Sequence, residues 1–126
     1  KKCYCGKDGC IETYISGPGF ANSFNLRFNQ NYDSHKILEG FKNKDKNCIF
    51  ALKQYVDHLA RGLSLICNIL DPDVIVLGGG MSNIDFIYKN INEPLNKYVF
   101  TDSLSTKVKK NIHGDSSGVR GAAWLS

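Results

Sequence analysis

Ile49, Leu52, Val56, Leu59, Leu63, Ile66 and Leu70 recur at alternating spacings of three and four, the mark of a long helix that buries one stripe. Asp71-Pro72 stops it, because proline lacks the N–H that the helix ladder needs and its ring clashes with the preceding turn. Val74-Ile75-Val76-Leu77 follows as a continuous apolar run rich in β-branched residues, which predicts a central strand covered on both faces. A long helix feeding a buried strand makes this an α/β chain, helix-rich with a few strands. Its 126 residues suffice for one compact domain with a hydrophobic core and hardly for two.

Shorter elements flank that centre. A short helix is expected from Gly9 to Ser16, ended by Gly17-Pro18. Pro18 opens the next helix, where its missing N–H costs nothing, and Phe20, Phe24 and Phe28 line one face of it as a core stripe. Another helix runs from Ser34, read as its N-cap, to Lys42, before a polar loop over Asn43–Asn47. Cys48 and Cys67 lie beside the long stripe and read as small core residues. Gly78-Gly79-Gly80 leaves the strand, Ser82-Asn83 caps a helix over Asp85–Asn92, and Pro94 starts a further helical piece to Phe100. Thr106–Ile112 is the second predicted strand. His113–Ser117 makes a turn with capping side chains, and Val119–Leu125 closes the chain as a helix.

Charge and composition exclude several function classes. The net charge of +4 comes from 16 basic against 12 acidic residues, and the lysines are scattered, whereas nucleic-acid binders gather them into a patch. No apolar run reaches membrane length, and the first residues carry no signal-peptide pattern. The expectation is therefore a cytoplasmic protein without nucleic-acid or membrane partners. A start at Lys1-Lys2, directly before the densest motif, reads as an internal one, as in a truncated or cleaved product.

Five cysteines cannot all close into intrachain pairs. Cys3, Cys5 and Cys10 cluster, and clustered thiols in a reducing compartment point to metal. Zinc needs thiolates converging on a tetrahedron, and Gly6 and Gly9 give the backbone freedom to fold that tightly. Residues 1–12 thus read as a zinc knuckle, structural rather than water-activating. The fourth ligand falls to His35, His58, His113 or a residue upstream of Lys1. Reduced surface thiols, or a Cys5–Cys10 disulfide, are the bland alternatives; redox chemistry lacks its Cys-x-x-Cys pair.

Two further features carry chemistry. Glycine lets a ligand approach the backbone and a following helix start offers N–H groups, so residues 73–83, strand plus Gly78-Gly79-Gly80, form a candidate nucleotide turn. The pattern is neither G-x-G-x-x-G nor a lysine-bearing P-loop, and packing alone can demand glycine there. Glu12, two residues after Cys10, is either a solvated acid favourable to the helix dipole or, if the knuckle holds it at a cleft, an acceptor for two sugar hydroxyls.

Taken together, Cys3-x-Cys5-Gly6-x-x-Gly9-Cys10-x-Glu12, the stretch Leu70–Gly80 and His113–Trp124 resemble the ROK family of bacterial sugar kinases and repressors. Cys10–Gly17 and Gly78–Asn83 look most like its fructokinase/mannokinase branch. The resemblance implies the C-terminal part of an actin-like, ribonuclease-H-type sugar kinase, in which sugar and Mg-ATP meet in a cleft between two domains. It also implies zinc (a structural ion) on Cys3, Cys5 and Cys10 with an upstream histidine, Glu12 on sugar hydroxyls, and Gly78, Gly79 and Gly80 on the adenosine side of ATP. His113 and Asp115 are assigned to structure. The family's phosphate loop and catalytic aspartate match nothing here, so no catalytic residue is assigned; Asp71 and Asp73 flank a helix–strand junction and are not promoted to general base. A homodimer is implied, and the 126-residue piece alone is expected to be inactive. A rival reading is the sugar-sensing body of a ROK repressor, which an upstream helix-turn-helix would reveal. A third is a free-standing zinc module with an internal fourth ligand.

Overall fold

The computed structural model describes residues 1–101, 104–114 and 117–124. Its elements are α1 (Glu12–Ile15), α2 (Gly17–Phe28), α3 (Ser34–Lys42), α4 (Lys46–Leu70), β1 (Val74–Leu77), a 3-10 turn (Gly80–Asn83), α5 (Asp85–Asn90), α6 (Asn92–Tyr98), β2 (Lys107–Lys110) and α7 (Ser117–Ala123). The chain falls into two compact units, Lys1–Leu59 and Ala60–Ser126. Among the described residues, no helix is long and apolar enough to cross a membrane.

In the first unit, caps and glycines set the helices. Ser16 Oγ accepts from the Gly19 N–H at 3.0 Å, with Pro18 in the first turn of α2, and Asn29 ends that helix in the left-handed region. Asp33, not the expected Ser34, caps α3: its carboxylate takes the Lys36 N–H at 2.7 Å, and a side chain one residue earlier reaches the third helical amide. Asp45 does the same for Cys48 N–H at the start of α4. The core gathers Phe20, Phe24, Ile37, Cys48, Leu52 and Val56, all buried. Phe20 meets the Tyr55 ring edge-on, with centroids 5.4 Å apart. Gly40 is required for the α3–α4 approach, because a Cβ there would lie 2.5 Å from Cys48 Sγ. The short helix expected from Gly9 is confined to Glu12–Ile15, since Gly9 has φ +74 and belongs to the knuckle.

The stripe on α4 holds at Leu52, Val56, Leu59 and Leu63 but not at its end, where Ile66 is 41% and Leu70 71% exposed. A strict three–four spacing averages 3.5 residues per turn, so against a 3.6-residue helix it drifts by about 20° per heptad. Burial passes instead to Ala60, Ser64 and Cys67. Cys48 and Cys67 are core residues, as their positions predicted.

In the second unit β1 and β2 pair in parallel, Val74 opposite Lys107 through Leu77 opposite Lys110. The expectation of a strand covered on both faces fails: Val74 and Val76 are 42% and 59% exposed. Their register partners are Lys107 and Lys109, whose long charged chains favour a solvated face. Ile87, Ile91 and Leu95 form the core beneath α5 and α6. The single predicted helix to Asn92 breaks at Ile91, α6 begins ahead of Pro94, and α5 has no side-chain cap, because Ser82 and Asn83 belong to the 3-10 turn. The second strand is shorter than Thr106–Ile112 and the last helix starts at Ser117. Asp115, Ser116 and Leu125 lie outside the described residues.

Candidate functional site

The first nine residues fold back on themselves as a tight hairpin. Lys2 and Asp8 form an antiparallel bridge; Cys3 N–H donates to the Lys7 carbonyl at 2.9 Å, Gly6 N–H to Cys3 at 3.0 Å and Gly9 N–H to Lys1 at 2.8 Å. Gly6 and Gly9 sit at φ +84 and +74, where a side chain would be strained. This turn brings the three sulfurs together, all within 4.8 Å of one another. Cys5 Sγ and Cys10 Sγ are 3.5 Å apart, far beyond the 2.05 Å or so of a disulfide. Tetrahedral zinc with bonds of about 2.3 Å holds its sulfurs roughly 3.8 Å apart, so the cluster fits three corners of such a site.

Its electrostatics point the same way. The Lys7 backbone N–H, then the thiols of Cys3 and Cys10, hold the Cys5 thiol below its ordinary value. Hydrogen bonds to Cys5 and then Cys3 push Cys10 up to about 11. One thiolate is stabilised and the next is penalised, and a divalent cation removes that penalty. His35 and His58 do not join the sulfur group; His58 packs edge-on against Tyr14, with centroids 5.3 Å apart. His113 is exposed in the second unit.

Glu12 stands exposed at the first position of α1, and the knuckle is tied to that helix. The Cys10 carbonyl accepts from Thr13 N–H at 2.9 Å and from Thr13 Oγ1 at 2.7 Å. Tyr55 Oη donates to the Ile15 carbonyl at 2.9 Å from α4. Gly19 lies so close that a Cβ there would stand 2.7 Å from the Glu12 and Thr13 carbonyl oxygens. Tyr4, 87% exposed at the tip of the knuckle, faces Glu12, whose charge and hydrogen bond push the phenol's pKa up. Sequence reasoning missed Gly19, Tyr55 and Tyr4. The signal for Gly19 was a second glycine directly after Gly17-Pro18; nothing local marked the other two.

In the second unit Gly78, Gly79 and Gly80 carry β1 into the 3-10 turn. Gly79 needs glycine for its φ of +78, yet a Cβ on any of the three would meet no atom within 4 Å. Packing within the unit therefore does not demand three glycines, and the turn presents bare backbone. A cavity of about 660 Å³ in the same unit, lined by Asn92, Asn96, Thr106, Lys107 and Lys109 among others, includes none of them.

A profile described as the ROK family matches residues 1–126. The chain belongs to the ROK family. An N-acetyl-D-glucosamine kinase from Salmonella typhi is 35% identical over 125 residues, covering 99% of this chain and 41% of the relative. The chain thus spans well under half the length of that relative. A ROK family glucokinase from Streptomyces griseus, solved in complex with glucose and AMPPNP, superposes with a TM-score of 0.84 at 20% identity, over 97% of this chain and 46% of the other. A ROK family transcriptional regulator, a homologue of the E. coli MLC protein, superposes with a TM-score of 0.72 at 19% identity, over 87% of this chain and 31% of the regulator. At these identities the superpositions speak for the fold, and a kinase and a regulator share it.

Proposed function

We propose that this chain is the C-terminal part of an ATP-dependent hexose kinase, which transfers the γ-phosphoryl group of Mg-ATP to a sugar hydroxyl. The observation that carries the reading is the mounting of Glu12: a three-sulfur knuckle on one side and Gly19 and Tyr55 on the other hold α1 where a solvent-facing carboxylate begins it. Phosphoryl transfer depends mainly on positioning and charge neutralisation, and a rigid carboxylate accepting two sugar hydroxyls supplies the positioning.

Cys3, Cys5 and Cys10 would hold zinc with a fourth ligand from upstream, and the ion would clamp the loop as a scaffold. Gly78, Gly79 and Gly80 would line the adenosine side of the nucleotide, for which their bare backbone leaves room. The general base belongs upstream of Lys1, so the piece described here would not turn over by itself. The glucose and AMPPNP in the Streptomyces griseus glucokinase support the substrate pair. The fructokinase/mannokinase reading is the finer part of the proposal, and the Salmonella typhi relative sets N-acetyl-D-glucosamine against it. A dimer and a cytoplasmic location complete the reading.

The regulator reading keeps a foothold in the shared fold, but the extended identity to a kinase favours the enzyme. A panel of fructose, mannose, glucose and N-acetyl-D-glucosamine, with ADP release measured on the full-length protein, tests both. Sugar-dependent turnover is expected; sugar binding without turnover, together with DNA binding, would support the regulator.

A further inference from the structure

The ends of the glycine turn are held by a single side-chain amide. Asn111, directly after β2, donates its backbone N–H to the Leu77 carbonyl at 3.2 Å. Its Nδ2 donates to that carbonyl and to Ser82 Oγ, each at 3.0 Å. Ser82, 2% exposed, passes its own hydroxyl hydrogen to the Gly79 carbonyl at 2.6 Å, and Tyr88 Oη holds the Ser82 carbonyl at 2.7 Å. One side chain thereby fastens both ends of the Leu77–Ser82 loop and, through Ser82, its middle.

Asn111 Oδ1 is buried and has no hydrogen-bond partner among the described residues. A leftover buried acceptor costs stability, and asparagine carries that cost while delivering two donors to the loop. A Cβ at Gly78, Gly79 or Gly80 would meet nothing within 4 Å. The loop is braced by hydrogen bonds and carries no packing on its three glycines.

We propose that Asn111 is a positioning residue for nucleotide binding, its amide fixing the Gly78–Gly80 backbone in the shape against which the adenosine side of ATP packs. This rests on the reading that the turn meets the nucleotide. A loop already ordered before binding does not pay that ordering at the moment of association, so loss of the brace appears in nucleotide affinity while the sugar side is spared.

The test uses full-length protein with AMPPNP titrated by calorimetry, the sugar KM and a thermal melt. Asn111→Leu should weaken AMPPNP by about tenfold with the sugar KM unchanged, and Ser82→Ala should act in the same direction by less. A lower Tm with AMPPNP affinity intact would make the amide merely structural and overturn the proposal. Should Asn111→Leu not fold, Ser82→Ala decides: unchanged AMPPNP affinity refutes it. Gly78→Val adds bulk where a side chain meets no other atom of the described residues, at a position whose backbone is not in the left-handed region. If Gly78→Val weakens AMPPNP and neither other variant does, the positioning role fails while the turn remains a nucleotide site. If none of the three does, the turn itself is not one.

Discussion

Gly19→Ala probes the seat of Glu12 while leaving its side chain unaltered. The added Cβ would lie 2.7 Å from Glu12 O, Thr13 C and Thr13 O, where ordinary contact begins at 3.4 Å. All three are backbone atoms, so no rotamer relieves the clash, and α1 or α2 must give way by about 0.7 Å, the difference between those distances. Overpacking of this kind costs about 1–3 kcal/mol, and alanine returns up to about 1 kcal/mol of helix propensity. The net is a loss of about 1–2 kcal/mol, or about 2–3 °C in Tm for a full-length protein of the relatives' size. Misplacement on the scale of an ångström weakens a positioned interaction by up to about a hundredfold, so the sugar KM should rise by about tenfold. Differential scanning fluorimetry and initial rates on full-length protein measure both, with the ATP KM as internal control. An unchanged or higher Tm together with an unchanged sugar KM would refute the claim that Gly19 sets the position of α1.

Other outcomes follow from the same geometry. Glu12→Gln should raise the sugar KM by about 10- to 100-fold, as loss of a charged hydrogen-bonding partner does, and leave the ATP KM alone; equal effects on both substrates would count against its assignment. Thiol reactivity follows the thiolate: in chelator-treated protein at pH 8, iodoacetamide should label exposed Cys5 first, since its pKa is lowered. Cys10 and Cys48, each pushed up to about 11, should lag, as mass mapping over time would report. Burial chiefly raises Cys48 from its usual 9.0 to about 11 in the folded chain, so the stability it contributes is complete below pH 9 and drains away as pH rises towards 11. A Cys48→Ala variant should flatten that part of an alkaline denaturation profile. The isolated 126-residue chain should show no sugar-dependent ATP hydrolysis, and measurable turnover from it would overturn the upstream placement of the general base.

Local chemistry was legible where it is short-range. The spacing of Cys3, Cys5 and Cys10 with Gly6 and Gly9 announced a sulfur cluster, and the structure brings the three sulfurs together. The α4 stripe and the burial of Cys48 and Cys67 followed from periodicity. What escaped depends on helix geometry that spacing understates and on contacts between segments. The end of the stripe rotated away because a 3.5-residue pattern drifts on a 3.6-residue helix. β1 looked fully buried from its own composition, but its register places Lys107 and Lys109 beside Val74 and Val76. Tyr55 against Ile15 and Asn111 against Ser82 are contacts made across 40 and 29 positions, and no local pattern encodes them; Gly19 against Glu12 spans 7, and its only local mark is a second glycine directly after Gly17-Pro18. Asp33 capped α3 because two adjacent residues were both good caps and only geometry chose between them.

Zinc content and sugar affinity, measured on one freshly purified batch of full-length protein before and after chelation, test the knuckle's role most directly. One zinc per chain is expected, with sugar binding markedly weakened once the metal is removed and restored when it is returned. Protein without zinc that binds sugar just as tightly with or without chelator would contradict the account, because Glu12 would then owe its position to something other than the three sulfurs.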